Sequence, residues 1–191
     1  AVPQESIDPI VITCQIVNSL QTIVSRKINP LDPVVITCGR IQGGDCHNVI
    51  PNEVELEGTI RTFNEETRNW VPKVMEDLIR GITTSQGAAY EFKYEPKYPA
   101  LINDKYMTSF AKESLKKVVG EENVFDLKEP NMGGEDFAYF AQKVPSAFIF
   151  VGIANNKSEP VIHHNPYFKW DSKNVGILAQ SLSQIAIDYL K

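Results

Sequence analysis

Between residues 53 and 63 the chain alternates cleanly. Glu53, Glu55, Glu57, Thr59 and Arg61 fall on one side, and Val54, Leu56, Ile60 and Thr62 on the other. A period of two marks a strand with one face in a core and one in water, so Arg61 points to the polar side. Such a strand needs neighbours and a cover, and the flanking segments supply candidates. Residues 34–41 form a β-branched run, broken by Gln42-Gly43-Gly44-Asp45, with a further turn at Pro51-Asn52. Upstream, Asp8-Pro9 combines a capping residue with proline at the first helical position. Ile10, Cys14, Val17, Leu20 and Val24 then recur at helical spacing until Asn29-Pro30. A second helix follows Asn64 and carries Trp70, Val74, Leu78 and Ile82 to near Gly87. Pro72 lies inside it and predicts a kink, or a helix start close to Trp70. Residues 88–94 alternate again, with Tyr90, Phe92 and Tyr94 on the buried side.

The order is therefore helix, strand, strand, helix, strand. One strand ahead of Ala1 would complete β-α-β-β-α-β, the ferredoxin-like unit with a four-stranded antiparallel sheet and both helices on one face. The chain also opens on Ala-Val-Pro-Gln-Glu-Ser rather than Met, with no signal peptide. Both features predict that an N-terminal portion precedes this sequence.

After Lys97-Tyr98-Pro99 the texture changes. Asn103 is the expected cap of a helix bearing Met107, Phe110, Leu115 and Val118, closed by Gly120. Residues 131–134 (Asn-Met-Gly-Gly) read as a tight loop, and residues 135–142 as a short helix. The uninterrupted apolar run at 147–151 predicts a strand buried on both faces. A last helix starts at Asp171 or Ser172, with Val175, Leu178, Leu182, Ile185 and Leu190 toward a core. A buried strand between helices belongs to an α/β layer, unlike the first half. The boundary falls within residues 96–103, giving parts 1–96 and 97–191, an α/β protein overall.

Composition narrows the function. Net charge is −5 without a basic run, which argues against nucleic acid or an anionic membrane as partner. The longest apolar stretches are too short to span a bilayer. Three cysteines, Cys14, Cys38 and Cys46, contain no Cys-x-x-Cys pair and read as reduced thiols of a cytoplasmic protein. Cys14 and Cys38 are expected as small buried hydrophobes.

Polar groups concentrate beside glycine or proline in three places: residues 43–51 with Arg61 on the next strand, residues 133–137, and residues 163–166. Each has an ordinary explanation. Asn48 fits a turn residue, and Arg61 among glutamates fits a cross-strand ion pair. Glu135-Asp136 suits a helix N-terminus, and His163-His164 suits a surface loop. Spacing alone leaves a two-part α/β protein with a possible metal site.

The combination is more specific. D-P-I…L-Q-T-I-V-S-R…P-L-D-P, then G-G…N-V-I-P…G-T-I-R, then M-G-G-E-D-F, then H-N-P resembles the dinuclear-metal peptidase and amidohydrolase family over essentially the whole chain. That family includes hippurate hydrolases, aminoacylases, thermostable carboxypeptidases, N-acetyl-diaminopimelate deacetylases and plant auxin-conjugate (IAA-amino acid) hydrolases. The resemblance implies a ferredoxin-like lid and dimerisation domain (1–96, without its first strand). The closing part of a mostly parallel-sheet catalytic domain (97–191) follows.

It also implies two divalent metal ions, zinc or manganese, with His164 as the last metal ligand. The other ligands and the catalytic glutamate would lie upstream, so this stretch holds no catalytic base and is expected to be inactive alone. Asn48 and Arg61 match substrate-side positions of the lid, and Gly133, Gly134, Glu135 and Asp136 match a loop supporting the metal site. His47 departs from the small residue usual before Asn, His163 does not match, and Gln4 stands where many bacterial members have histidine. The implied activity is metal-dependent cleavage of N-acyl amino acids by a homodimer. The alternatives are a carboxypeptidase on peptides or N-blocked amino acids, and a non-catalytic dimerising module if the chain is complete.

Overall fold

The computed structural model describes residues 2–154, 161 and 163–191. Its elements are α1 (Pro9–Thr22), continued by a π-helical turn (Ile23–Lys27), β1 (Val34–Gln42), β2 (Glu55–Thr62), α2 (Glu65–Ser85), α3 (Lys105–Val119), α4 (Ala138–Ala141) and α5 (Lys173–Tyr189). They fall into two compact units, residues 1–100 with 132–134, and residues 101–131 with 135–191. Among the described residues no helix is long and apolar enough to cross a membrane.

In the first unit both helices begin at side-chain caps, the first at Asp8 as expected and the second at Asn64, the residue it was expected to follow. Asp8 accepts from the amides of Ile10 and Val11, and Asn64 from those of Glu66 and Thr67. The Asn64 cap starts α2 at Glu65, earlier than a start near Trp70, and the helix carries Pro72 as a buried residue. β1 and β2 pair antiparallel, with Val35 opposite Arg61, Ile36 opposite Ile60 and a bulge between Cys38 and Arg40. Ile12, Ile16, Leu20 and Ile23 pack with Val34 and Ile36 of β1 and Val71 of α2. Leu56 and Ile60 of β2 join that cluster, so the alternation expected from residue 53 onward is present.

The apolar stripe of α1 is displaced from the expected one. Ile12, Ile16, Leu20 and Ile23 are inside, whereas Ile10 and Cys14 are exposed. Seven of the first twelve helical positions are apolar or cysteine, so two phases of one helical period compete. The sheet that buries one of them decides. Cys38 is half-buried, and its burial pushes the thiol pKa up.

Residues 88–94 and 147–151, expected as strands, form no ladder among the described residues; the sheet there has two strands. A strand exists through the hydrogen bonds of its neighbours, and these segments find no partner row. At Phe148 a side chain takes that place. Asn103 Nδ2 donates to the Phe148 carbonyl at 2.9 Å, and the Phe148 amide donates to Asn103 Oδ1 at 2.8 Å. Asn103 is therefore not the helix cap. Asp104 is, accepting from the Met107 amide at 2.9 Å.

The second unit pairs α3 with α5. Phe110 meets Tyr189 edge-to-face at 5.9 Å, and Lys117 Nζ lies 2.8 Å from Asp188 Oδ2. Buried positions of the two helices are Ala111, Ser114 and Ser181. Val175, Leu178, Leu182 and Leu190, expected toward a core, are exposed.

Candidate functional site

Three of the expected site segments lie on irregular backbone between regular elements, where side chains are not committed to a core. The first is the turn that leaves β1. There the added residue of a Cβ at Gly43 would stand 2.6 Å from Val54 Cγ2, and Gly44 adopts φ +80°, so both positions need glycine. Residues 43–50 then curl against the start of α1 and line an open depression of about 610 Å³, with Asp8 and Ile10 on its other side. Asn48 lines this depression beside Asp45, Cys46 and His47, all exposed.

Arg61 is not among the lining residues of that depression. It lies on the exposed face of β2, as the alternation requires. The cross-strand ion pair that glutamates on this face could give it goes to another arginine. After the bulge, Arg40 Nη1 lies 2.9 Å from Glu55 and 2.5 Å from Glu57, and it also bonds Gln42. Among the described residues Arg61 has no ion-pair partner, so its planar fork of donors faces solvent.

In the loop 133–136, Gly134 lies against the ring of Tyr98. Glu135 is half-buried, and its Oε1 accepts from the Phe137 amide at 3.2 Å. That bond makes Glu135 a local cap for the turn leading into α4. Asp136 is exposed.

His164 occupies the turn that Asn165 and Pro166 close, with Asn165 Oδ1 accepting from the Tyr167 amide at 2.9 Å. It is the one non-glycine residue with positive φ among the described residues, at +68°, a conformation held at some cost in backbone energy. His163 and His164 meet edge-to-face with ring centroids 4.7 Å apart, and both are exposed. Periodicity carries no signal for that left-handed backbone.

The sequence matches peptidase family M20/M25/M40 over residues 5–187. The chain belongs to that family. An N-acetylcysteine deacetylase of Bacillus subtilis is 37% identical over 190 residues, which cover 100% of this chain and 48% of the relative. Thermostable carboxypeptidase 2 of Saccharolobus solfataricus is 34% identical, over 96% of this chain and 47% of its own. Among solved structures, a dinuclear metal binding peptidase of Bacillus subtilis superposes with a TM-score of 0.74 at 32% identity, over 98% of this chain and 47% of that one. The chain thus spans about half the length of the relatives it matches, and its mixed helix and strand content agrees with the M20 fold.

That solved peptidase is one that binds a dinuclear metal centre. Among the described residues of this chain, no three His, Cys, Asp or Glu side chains stand close enough to hold a metal ion. The described residues do not assemble a dinuclear centre by themselves, and His164 is exposed.

Proposed function

We propose that this M20 chain serves an amidohydrolase that cleaves the amide bond of N-acyl amino acids. The geometric observation that carries the reading is Arg61, an arginine without a carboxylate beside one, Arg40, that holds two. A guanidinium left open on a polar sheet face can grip a substrate carboxylate through two parallel hydrogen bonds. Asn48, in the depression beside α1, offers an amide donor to a substrate carbonyl oxygen and to the charge that develops there. Gly133 and Gly134 let backbone approach closely, and Glu135 and Asp136 support groups nearer the reaction. Two divalent ions, zinc or manganese, belong to this reading. His164 would supply one imidazole, and further ligands and a general base would come from residues outside this sequence.

In the same reading, residues 1–96 are the lid, a ferredoxin-like sheet through which two copies pair. Residues 97–191 close a mostly parallel-sheet catalytic domain. The three free thiols suit a reducing, cytoplasmic setting. A carboxypeptidase acting on peptides or N-blocked amino acids is the second reading, favoured by the Saccharolobus relative.

The test is metal content and steady-state hydrolysis of the full-length protein, with N-acetyl amino acids and N-blocked dipeptides as rival substrates. Arg61→Ala is expected to lower kcat/KM by about 10- to 100-fold, mainly through KM, as loss of a charged hydrogen bond would. His164→Ala is expected to lower both metal content and rate. Unchanged values for both variants would sink the site assignment. Faster turnover of the dipeptides would select the carboxypeptidase.

A further inference from the structure

Resting on the carboxylate grip assigned to Arg61, we propose that Val35 selects the amino-acid part of the substrate. It favours N-acyl amino acids with uncharged aliphatic side chains over those with charged ones.

The register of the β1–β2 pair carries this. Val35 stands directly opposite Arg61, Thr37 opposite Thr59, Arg40 opposite Glu57 and Gln42 opposite Glu55. Opposite residues of an antiparallel pair share one face of the sheet, with Cβ atoms about 4.5–5.5 Å apart. All of these residues are exposed, while Val34 and Ile36 between them are buried, so the row lies on the face turned away from the core. Val35 is the large apolar side chain of the row, and 43% of it stays exposed.

Charge divides the row into two ends. At the Gln42 end, Arg40 holds Glu55 and Glu57 and also bonds Gln42. At the other end, the ladder gives Arg61 three neighbours on this face: Val35 across, Thr59 along its own strand and Thr37 on the diagonal. None of the three carries a charge. In an amino acid the side chain is attached one carbon from the carboxylate, so the groups flanking the guanidinium are the ones that side chain meets. A charged side chain would give up water there without gaining a partner. An aliphatic one would cover Val35 and remove apolar surface from water.

The experiment compares kcat/KM of the full-length protein for N-acetylglycine, N-acetylleucine and N-acetylaspartate, beside the variants Val35→Ala, Val35→Lys and Arg61→Ala. N-acetylglycine has no side chain to meet residue 35, so ratios to it separate that contact from any general change in the protein. The unsubstituted protein is expected to prefer leucine to aspartate by about tenfold. Val35→Ala should lower the leucine-to-glycine ratio about threefold, because the apolar surface shrinks. Val35→Lys should raise the aspartate-to-leucine ratio about tenfold, since it supplies the missing partner charge and removes the apolar contact. Arg61→Ala should weaken all three substrates.

Ratios that stay at their original values in both Val35 variants, or an original preference for aspartate, would overturn the assignment to Val35. If Arg61→Ala still weakens all three substrates in that case, the carboxylate grip stands and only the selection by Val35 is lost. If Arg61→Ala changes none of them, the grip itself fails and the role of Val35 falls with it.

Discussion

In the first unit α1, β1 and α2 meet through Ile23 and Val71, both 0% exposed, with Leu20 at 2%. In the second, the fully buried positions of α3 and α5 are serines, Ser114 and Ser181, while Leu178 and Leu182 stand 39% and 55% exposed. One unit closes an apolar core on itself. The other holds its helices together largely by edge contacts, one ion pair and small side chains. Burial of apolar area is the main source of stability, so equal lengths of helix contribute unequally. An apolar stripe in a sequence says that a helix has a core side, but not which body supplies the core.

The largest effect that can break this contrast is a truncation in the first core. Ile23→Ala should destabilise by about 2–5 kcal/mol, and Leu182→Ala by no more than about 0.5 kcal/mol. The two tryptophans divide between the units, so single-tryptophan variants keeping Trp70 or Trp170 report on each during urea unfolding. If Leu182→Ala costs as much as Ile23→Ala, Leu182 is covered in solution and the contrast fails.

What was legible from sequence tracks how local its cause is. Asp8 and Asn64 cap helices through bonds to amides two and three residues on, so composition and order suffice to find them. The alternation of β2 was legible for the same reason. The buried phase of α1 was not, because Ile10 and Ile12 are equally apolar and the choice is made by β1 and α2. Residues 88–94 and 147–151 carry strand-like patterns, but a ladder needs partners that pattern cannot supply. Of the candidate site residues, local pattern gave Asn48 as a turn residue and Arg61 as an exposed strand residue, and only the family resemblance singled them out as substrate-side positions. That Arg40 rather than Arg61 takes the glutamates depends on a bulge and a register, both long-range facts.

A smaller effect should confine itself to the second unit. Asn103→Ala removes both bonds to the Phe148 backbone, which no strand replaces among the described residues, and should cost about 1–2 kcal/mol. Trp170 should report the loss and Trp70 should not. Equal movement of both transitions would mean that the units unfold together, and the comparison would need to be redrawn as one cooperative body.

The smallest effect is one of pH. Lys117, then Ser114 and Gln184, hydrogen-bond the Asp188 carboxylate and hold its pKa down to about 2, from an ordinary 3.8. The folded carboxylate therefore binds its proton less readily than the unfolded one. Its contribution to stability is present in full above the unfolded value and is lost as pH falls through the folded value. The window runs from about pH 4 down to about pH 2, and stability should decline within it. Lys117→Met removes the largest cause, so the Asp188 pKa should rise toward 3.8 and the acid-side decline should flatten. Urea midpoints read at Trp170 across that range would measure it. An identical slope in Lys117→Met would show that the ion pair joining α3 to α5 carries no pH-dependent stability.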